Sequence, residues 1–245
     1  MPRDLVLLGA NAPDMELLRT RLVRVGYRVV PAKTPEMAGT LLRVGGARVG
    51  AVIVPSDLPV VSLRGALDSM RRQTPGGEVT FVAAGRDPGD EARRRLRDAG
   101  VRIGIFDPVD LHTLRFQINR ALADGMPLPP ARSKRGTLRA PADWKVVAIS
   151  GGRAKEGRIY SISPSGTFVV LPQPWMIRSH VELRWTHPHT GTVSAACRVV
   201  MTNVPGNVMR RSLPLGMGLR FDHLPEAASV ALLMYADQCH QRLEV

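Results

Sequence analysis

The sequence predicts two domains of different class: a doubly wound α/β domain with five parallel strands, then a six-stranded antiparallel β-barrel or sandwich with a C-terminal helix. Three observations support this. Apolar runs alternate with helical periodicity over about the first 125 residues. A proline-rich passage, GMPLPPARSK, breaks that pattern. Six short strand-like runs follow, separated by turn signals. The predicted boundaries are 1–125 for the first domain, 126–139 for a linker and 140–245 for the second domain.

The first domain repeats a strand–helix unit. DLVLLGA is a continuous apolar run, typical of a strand covered on both faces. Met15 and Leu18 begin a helical repeat that we expect Asp14 to cap, and Thr34 is expected to cap the next helix, with Pro35 at its first position. The other predicted strands are YRVVPA, GAVIVPS, VTFVAAG and VRIGIFD. Ligands of such parallel sheets usually bind at the carboxyl ends of the strands.

The second domain consists of short strand-like runs with turns between them. The runs are WKVVAIS, GRIYSIS, GTFVVLP, HVELRWT, VSAACRVVMTNV and GLRFDH. The turn signals SGG, SPSG, HTG and PGN separate them, which favours an antiparallel barrel or sandwich. Ala228, Leu232 and Tyr235 lie near helical spacing and predict a helix that plugs or flanks the barrel.

The chain is strongly basic, with 34 Lys and Arg against 21 Asp and Glu and a formal net charge of +13. Such a charge is compatible with nucleic-acid binding. However, the basic excess is concentrated in the second half, mostly between Arg132 and Arg158. A local cluster of this kind fits a small anionic ligand at least as well as a duplex, so a nucleic-acid-binding regulator is retained only as a third alternative.

Other chemistry-bearing residues are sparse. Cys197 and Cys239 are too few and too far apart for a disulfide scaffold or a zinc site, which favours a reducing compartment, and we expect a cytoplasmic protein. No apolar segment reaches the length of a membrane span.

His187 and His189 are expected to be solvated loop residues, so we predict no metal and no cofactor. No catalytic arrangement of Ser, His and Asp or of paired carboxylates stands out, so we predict no enzymatic activity.

The strand–helix alternation and the phrases LRTRLVRVGYRVV and IFDPVDLHTLRFQI resemble the receiver domain of bacterial response regulators, which has a flavodoxin-like fold. Receivers carry an acidic pair after strand one, a phospho-accepting Asp after strand three, a hydroxyl after strand four and a Lys-Pro after strand five. The corresponding positions in this chain are Gly9 and Ala10, Pro55, Ala83 or Ala84, and Asp107 before Pro108.

The receiver resemblance therefore implies a pseudo-receiver. Phosphoryl transfer needs carboxylates that hold a divalent metal and a nucleophilic oxygen aimed at phosphorus. Asp57 lies two residues beyond the acceptor position, and a shift of register could bring it there. Without the acidic pair and the lysine, we expect the domain to serve as a docking or dimerisation surface for protein partners; the alternative is a scaffold with no partner of its own.

Two motifs flank the start of the second domain. Arg135-Gly-Thr-Leu-Arg139 has the form RxxxR, and Ser161-Ile-Ser163-Pro-Ser-Gly166 begins about 22 residues later. Together they resemble the RxxxR and [D/N]xSxxG elements of PilZ domains, and the phrase LGMGLRF is similar to the GxGxxF-type strand of that family. The likeness covers about residues 131–240.

The PilZ resemblance implies cyclic di-GMP as the ligand. Arg135 and Arg139 would pair with its phosphates and guanine edges and stack on the purine. Ser161, Ser163 and Gly166 would meet the guanine donors and allow close approach to the backbone.

Ser161 departs from the PilZ pattern, which has Asp or Asn at this position. Losing a charge-assisted hydrogen bond costs about 1.5 to 3 kcal/mol, roughly tenfold to a hundredfold in affinity. The leading hypothesis is a signalling adaptor that senses cyclic di-GMP. The alternative is a degenerate PilZ domain acting as a ligand-independent interaction scaffold, for instance in motility or cell polarity.

Overall fold

The structure is a computed structural model that describes residues 4–58, 62–75, 79–124, 139–188, 190–209 and 213–245. The chain forms two compact units. The first contains Met1–Arg132 together with Arg242–Val245, and the second contains Ser133–Gln241. The four residues Arg242–Val245 thus belong with the first unit, whereas the sequence prediction counts them with the second domain.

The first unit is a five-stranded, all-parallel sheet, as predicted, and its strand order is β2-β1-β3-β4-β5. Its strands are β1 (Asp4–Leu8), β2 (Val29–Ala32), β3 (Val49–Pro55), β4 (Thr80–Arg86) and β5 (Ile103–Asp107). Its helices are α1 (Pro13–Arg24), α2 (Pro35–Gly45), α3 (Leu63–Gln73), α4 (Gly89–Asp98) and α5 (Leu111–Asp124). A 3-10 turn, Gly46–Arg48, leads into β3.

Helices cover both faces of this sheet, which explains the continuous apolar strands. Val6 and Leu8 of β1 belong to a core that also contains side chains of α2, α3 and α4. Leu5 and Leu7, which alternate with them, belong to a second core shared with α1 and α5. Every residue of β3 is buried. A strand with both faces covered needs apolar side chains at every position, so it shows no alternation.

The two predicted helix caps have different outcomes. The side chain of Thr34 accepts a hydrogen bond from the backbone N–H of Met37 at 3.3 Å, which confirms it as the N-cap of α2. The Asp14 prediction is wrong: the N-cap of α1 is Ala12, and Asp14 lies inside the first turn. Pro13 has a fixed φ and no N–H, so the helix begins there and leaves Asp14 too late to cap.

The second unit is a closed antiparallel barrel of six long strands followed by a helix, which confirms the predicted fold. The long strands are β7 (Lys145–Ser150), β8 (Arg153–Ser163), β9 (Gly166–Val170), β10 (His180–His187), β11 (Gly191–Val204) and β13 (Gly216–His223). Two strands of two residues, β6 (Ala140–Pro141) and β12 (Asn207–Val208), were not predicted. The order is β10-β7-β8-β9-β13-β11, and β11 pairs with β10 to close the barrel.

The barrel has one apolar core, to which the helix α6 (Glu226–Leu243) contributes. Ile159, Trp185 and Leu219 lie in this core, and Ala228 and Leu232 of α6 pack into it. The helix that was expected to plug or flank the barrel is therefore present, and it packs into the barrel core. Within the described residues, no helix is both long and apolar enough to cross a membrane.

Candidate functional site

The serine–glycine motif forms a tight hairpin where β8 turns into β9. Ser163 pairs with Gly166, and its hydroxyl donates to the carbonyl of Gly166 at 3.1 Å. The hydroxyl of Thr167 donates to the carbonyl of Ser161 at 3.0 Å. The motif thus fixes its own turn through hydroxyl-to-carbonyl bonds.

Gly166 also has a structural reason to lack a side chain. A Cβ at this position would lie 2.3 Å from the carbonyl oxygen of Leu219 and 3.2 Å from the Cα of Arg220. Both atoms belong to the backbone of β13, which pairs with β9 here. Glycine is therefore required by the approach of two strands, independently of any ligand.

The second half of the RxxxR motif lies beside this hairpin. Arg139 directly precedes β6, which runs antiparallel to β8 with Pro141 opposite Ser161. Continuing this register by two residues places Arg139 level with Ser163. Arg135 lies outside the described residues. The structure therefore brings one predicted arginine next to the serine–glycine motif.

Helix α6 holds the segment that carries Arg139. The hydroxyl of Tyr235 donates to the carbonyl of Pro141 at 2.6 Å. Nε2 of His240 lies 3.2 Å from the carbonyl oxygen of Arg139. Both contacts involve the main chain, so α6 fixes the path of β6 next to β8 whatever the side chain of Arg139 does.

The predicted serines are buried. Ser161 is 3% exposed and Ser163 is 1% exposed. Phe168, directly opposite Ser161 on β9, is fully buried and meets Tyr160 edge to face, with ring centroids 6.1 Å apart. In this conformation neither hydroxyl faces solvent, and a ligand that contacts them must first open the local structure.

A row of exposed basic side chains continues from the hairpin across the outer face of the barrel. Gly166 pairs with Arg220, which pairs with Arg198 on β11, which in turn pairs with His180 on β10. Directly opposed residues share a face of the sheet, so these side chains lie on the same side as Gly166. The carboxylate of Asp222 is within 3.2 Å of Arg220, 3.5 Å of Arg198 and 3.9 Å of His180.

Arg198 and Arg220 place two further guanidinium groups on the barrel surface, in addition to the arginines of the RxxxR motif. Neither was predicted as a site residue, because their proximity to Gly166 depends on strand register over more than 30 residues of sequence. The available signal was weak: Arg220 lies within the LGMGLRF phrase, at a polar position between apolar neighbours.

His187 and Cys197 are buried in the barrel. His187 is 2% exposed and packs against Trp144 with ring centroids 5.1 Å apart, so the expectation of a solvated loop residue is wrong for it. His189 lies outside the described residues. Burial, with a smaller contribution from the charge of Asp222, raises the pKa of Cys197 to about 12, which keeps the thiol protonated and unreactive near neutral pH.

Gly9, Pro55 and Asp107 lie at the carboxyl edge of the parallel sheet, at the ends of β1, β3 and β5. Gly9 follows β1, and a Cβ there would lie 2.9 Å from Cγ of Pro55, which occupies the end of β3. Asp107 at the end of β5 pairs with the guanidinium of Arg21 at 3.2 Å. Asp57 is exposed. Across the described ranges, no group of three or more His, Cys, Asp or Glu side chains is arranged to hold a metal ion.

Comparison with known proteins gives one family match. Residues 132–238 match the family model of the PilZ domain. No curated protein matches the chain.

Among solved structures, the chain is similar to the motility inhibitor MotI/DgrA of Bacillus subtilis, with 20% identity and a TM-score of 0.38 over 47% of this chain and 57% of that one. The receiver domain of the sensor histidine kinase PA1611 from Pseudomonas aeruginosa PAO1 is 20% identical to this chain, with a TM-score of 0.44. The match covers 50% of this chain and 99% of that one. The PilZ domain of YcgR from Escherichia coli, solved with c-di-GMP, is 10% identical to this chain, with a TM-score of 0.35. The match covers 45% of this chain and 94% of that one.

Proposed function

We propose that this chain, which carries a PilZ domain at residues 132–238 after a receiver-like domain, is a signalling adaptor that senses cyclic di-GMP. The ligand site is bipartite. Arg135 and Arg139 form one part, and the hairpin of Ser161, Ser163 and Gly166 forms the other. No catalytic step is required, because the output is a change in protein binding.

The pairing of β6 with β8 is the observation that carries this proposal. The pairs Ala140–Ile162 and Pro141–Ser161, continued by one residue, support a position for Arg139 near Ser163, at the hairpin that the PilZ pattern assigns to the ligand. Arg198 and Arg220 add exposed guanidinium groups on the same face of the barrel. Guanidinium groups bind phosphate and guanine edges in bidentate geometry and stack on purines. A doubly phosphorylated purine ligand suits this combination.

Ser161 and the buried state of the hairpin set the expected affinity. A serine hydroxyl in place of a carboxylate loses a charge-assisted bond, worth about 1.5 to 3 kcal/mol. Opening the hairpin adds a cost, because Ser161 and Ser163 must become accessible. We therefore propose a receptor roughly tenfold to a hundredfold weaker than one with the complete motif.

The receiver-like domain acts in this proposal as a docking surface that is not phosphorylated. Pro55 occupies the acceptor position and its ring leaves no room for a side chain at Gly9. Asp107 replaces the lysine that would contact a phosphoryl group and is paired with Arg21. A carboxylate at this position repels an incoming phosphate.

Calorimetric titration with cyclic di-GMP tests the ligand proposal. We expect saturable heat from the parent and none from the double variant R135A/R139A. Arg153→Ala is the matched control, because it removes an exposed arginine ten residues before Ser163 on the same strand. Equal heats from the parent and the double variant would refute the proposed role of the arginines; no heat from the parent would refute the receptor.

A ligand-independent scaffold is the second candidate, and the burial of Ser161 and Ser163 favours it specifically. A hairpin that never opens leaves the outer face of the barrel as a protein-binding surface. In this case a pulldown from the native host would recover the same partners with the parent and with R135A/R139A, with and without cyclic di-GMP.

A further inference from the structure

The end of the barrel away from the serine–glycine hairpin displays exposed apolar side chains. Strand β9 runs from Gly166 at the hairpin to Val170, and the loop of residues 171–179 then leads into β10. In this loop Met176 is 83% exposed and Ile177 is 48% exposed. Adjacent large apolar side chains with this much exposure indicate a contact surface.

Hydrogen bonds to β11 fix the conformation of this loop. The N–H of Arg178 donates to the carbonyl of Val199 at 2.8 Å, and the N–H of Val199 donates to the carbonyl of Ser179 at 3.0 Å. Arg178 has a φ of 76°, a left-handed conformation that is unfavourable for a residue with a Cβ. The barrel therefore holds a strained backbone directly after the two exposed apolar residues, and their exposure is a property of a fixed loop.

A second exposed apolar segment lies at the same end of the barrel. Val208 is 43% exposed and Met209 is 58% exposed. Val208 pairs with Asn203 of β11, which is further along that strand than Val199. Val200, which is 49% exposed, lies between these two positions on β11. We call the exposed apolar side chains at this end the tip surface, which consists of Met176, Ile177, Val200, Val208 and Met209.

Lys155 brings a positive charge to the loop. Its ammonium group donates to the carbonyl of Gln173 at 2.7 Å and lies 4.5 Å from the centroid of the Trp175 ring. Trp175 is half-buried and packs against the barrel core. Indole rings favour the boundary between water and lipid, because they are apolar with one polar N–H.

The basic side chains around the tip surface have no carboxylate partner among the described residues. Arg153 lies close to the loop, because Ser150, with which it pairs, donates from its hydroxyl to the carbonyl of His180 at 2.7 Å. Neither Arg153, Lys155 nor Arg178 forms an ion pair with a described Asp or Glu. By contrast, each of these arginines of the barrel wall pairs with a carboxylate: Arg158, Arg184, Arg198 and Arg220. The tip surface is therefore flanked by uncompensated positive charge, which favours an anionic partner.

We propose that the tip surface docks on an anionic lipid bilayer, with Met176 and Ile177 in the interfacial layer and the flanking cations against acidic headgroups. Burial of apolar side chains and attraction to negative headgroups add in such binding. Met176 projects from the surface, and a fluid interfacial layer accepts a projecting side chain without a preformed pocket, which favours lipid over an acidic protein. The inference goes beyond the nucleotide site, which lies at the other end of β9.

Co-sedimentation of the full chain with lipid vesicles tests the proposal. The parent should bind phosphatidylcholine vesicles that contain about one third phosphatidylglycerol roughly tenfold more strongly than pure phosphatidylcholine vesicles, and added salt should weaken this binding. M176D/I177D should bind the anionic vesicles roughly tenfold more weakly, because carboxylates replace the inserted apolar side chains. Val44→Asp is the matched control: Val44 is 80% exposed on α2, and its substitution should leave vesicle binding unchanged.

Neutralising the charges tests the second half of the proposal. K155Q/R178Q should reduce the preference for anionic vesicles, and circular dichroism and Tm check that each variant is folded. The comparison of the two kinds of vesicle with the parent alone keeps the test valid if a variant does not fold.

No binding of the parent to anionic vesicles, or equal binding of the parent and M176D/I177D, would overturn the proposal. A parent that binds an acidic protein but no vesicle would also overturn it, and would assign the tip surface to a protein partner. Because no cyclic di-GMP is present, these results do not depend on the outcome of the calorimetric titration.

Discussion

The resemblance to PilZ domains implies that Ser161 stands where they have Asp or Asn; in the structure it lies on β8, opposite the buried Phe168. We predict that Ser161→Asp tightens cyclic di-GMP binding roughly tenfold to a hundredfold, because a carboxylate accepts the guanine N–H donors more strongly. The same change should lower the Tm of the ligand-free protein, since a carboxylate at a position that is 3% exposed loses its hydration. Calorimetry and thermal unfolding measure the two effects.

Ser161→Asn is the matched control for this substitution. It supplies an amide acceptor of similar size without a charge, so the gain in affinity and the loss in Tm should both be smaller. An aspartate variant that binds no better than the parent would show that residue 161 does not reach the guanine edge.

For single residues, the sequence pattern predicts short-range hydrogen bonds better than it predicts the solvent exposure of a side chain. Thr34 caps α2 as expected, because a cap depends only on the next three residues. Ser161 and Ser163 are found in the expected hairpin, but their burial depends on neighbours supplied by distant strands. The same holds for His187, whose packing partner Trp144 is about 40 residues away.

At the level of elements, α6 positions the arginine-bearing segment through β6. We predict that Tyr235→Phe weakens cyclic di-GMP binding roughly fivefold, because it removes the 2.6 Å bond to the carbonyl of Pro141, worth about 1 kcal/mol. The phenylalanine ring keeps the contact with Trp144, whose centroid is 4.9 Å from that of Tyr235. Calorimetry measures the change.

Met234→Ala serves as the control for Tyr235→Phe, since Met234 is an exposed neighbour on the same helix. Its affinity should equal that of the parent. Unchanged affinity in Tyr235→Phe would mean that β6 keeps its position without α6.

The long elements were predictable because each has its own periodicity. The five parallel strands and the six barrel strands are apolar or alternating runs, and the structure contains all of them. β6 was not predictable, because two residues carry no periodic signal and its existence depends on pairing with β8. The polar start of β8, at Arg153–Glu156, was missed for a related reason: it pairs with β7 while its side chains remain mostly exposed.

At the scale of the whole molecule, the sequence predicts two domains of the correct classes. It does not predict that Arg242–Val245 belong with the first unit. Gln117 and Leu243 are 126 residues apart in sequence, and no local pattern indicates their contact. The candidate site is predictable only in part. Its two motifs can be recognised in the sequence, but the positions of Arg198 and Arg220 near Gly166 follow from strand register alone.

The central claim is that residues 132–139 and 161–166 bind one cyclic di-GMP together. Hydrogen–deuterium exchange with and without saturating ligand tests it most directly. We predict that the ligand slows exchange in peptides covering both segments, and that R135A/R139A loses both protections at once. Protection confined to other regions of the chain, or protection of 161–166 that persists in the double variant, would contradict the bipartite site.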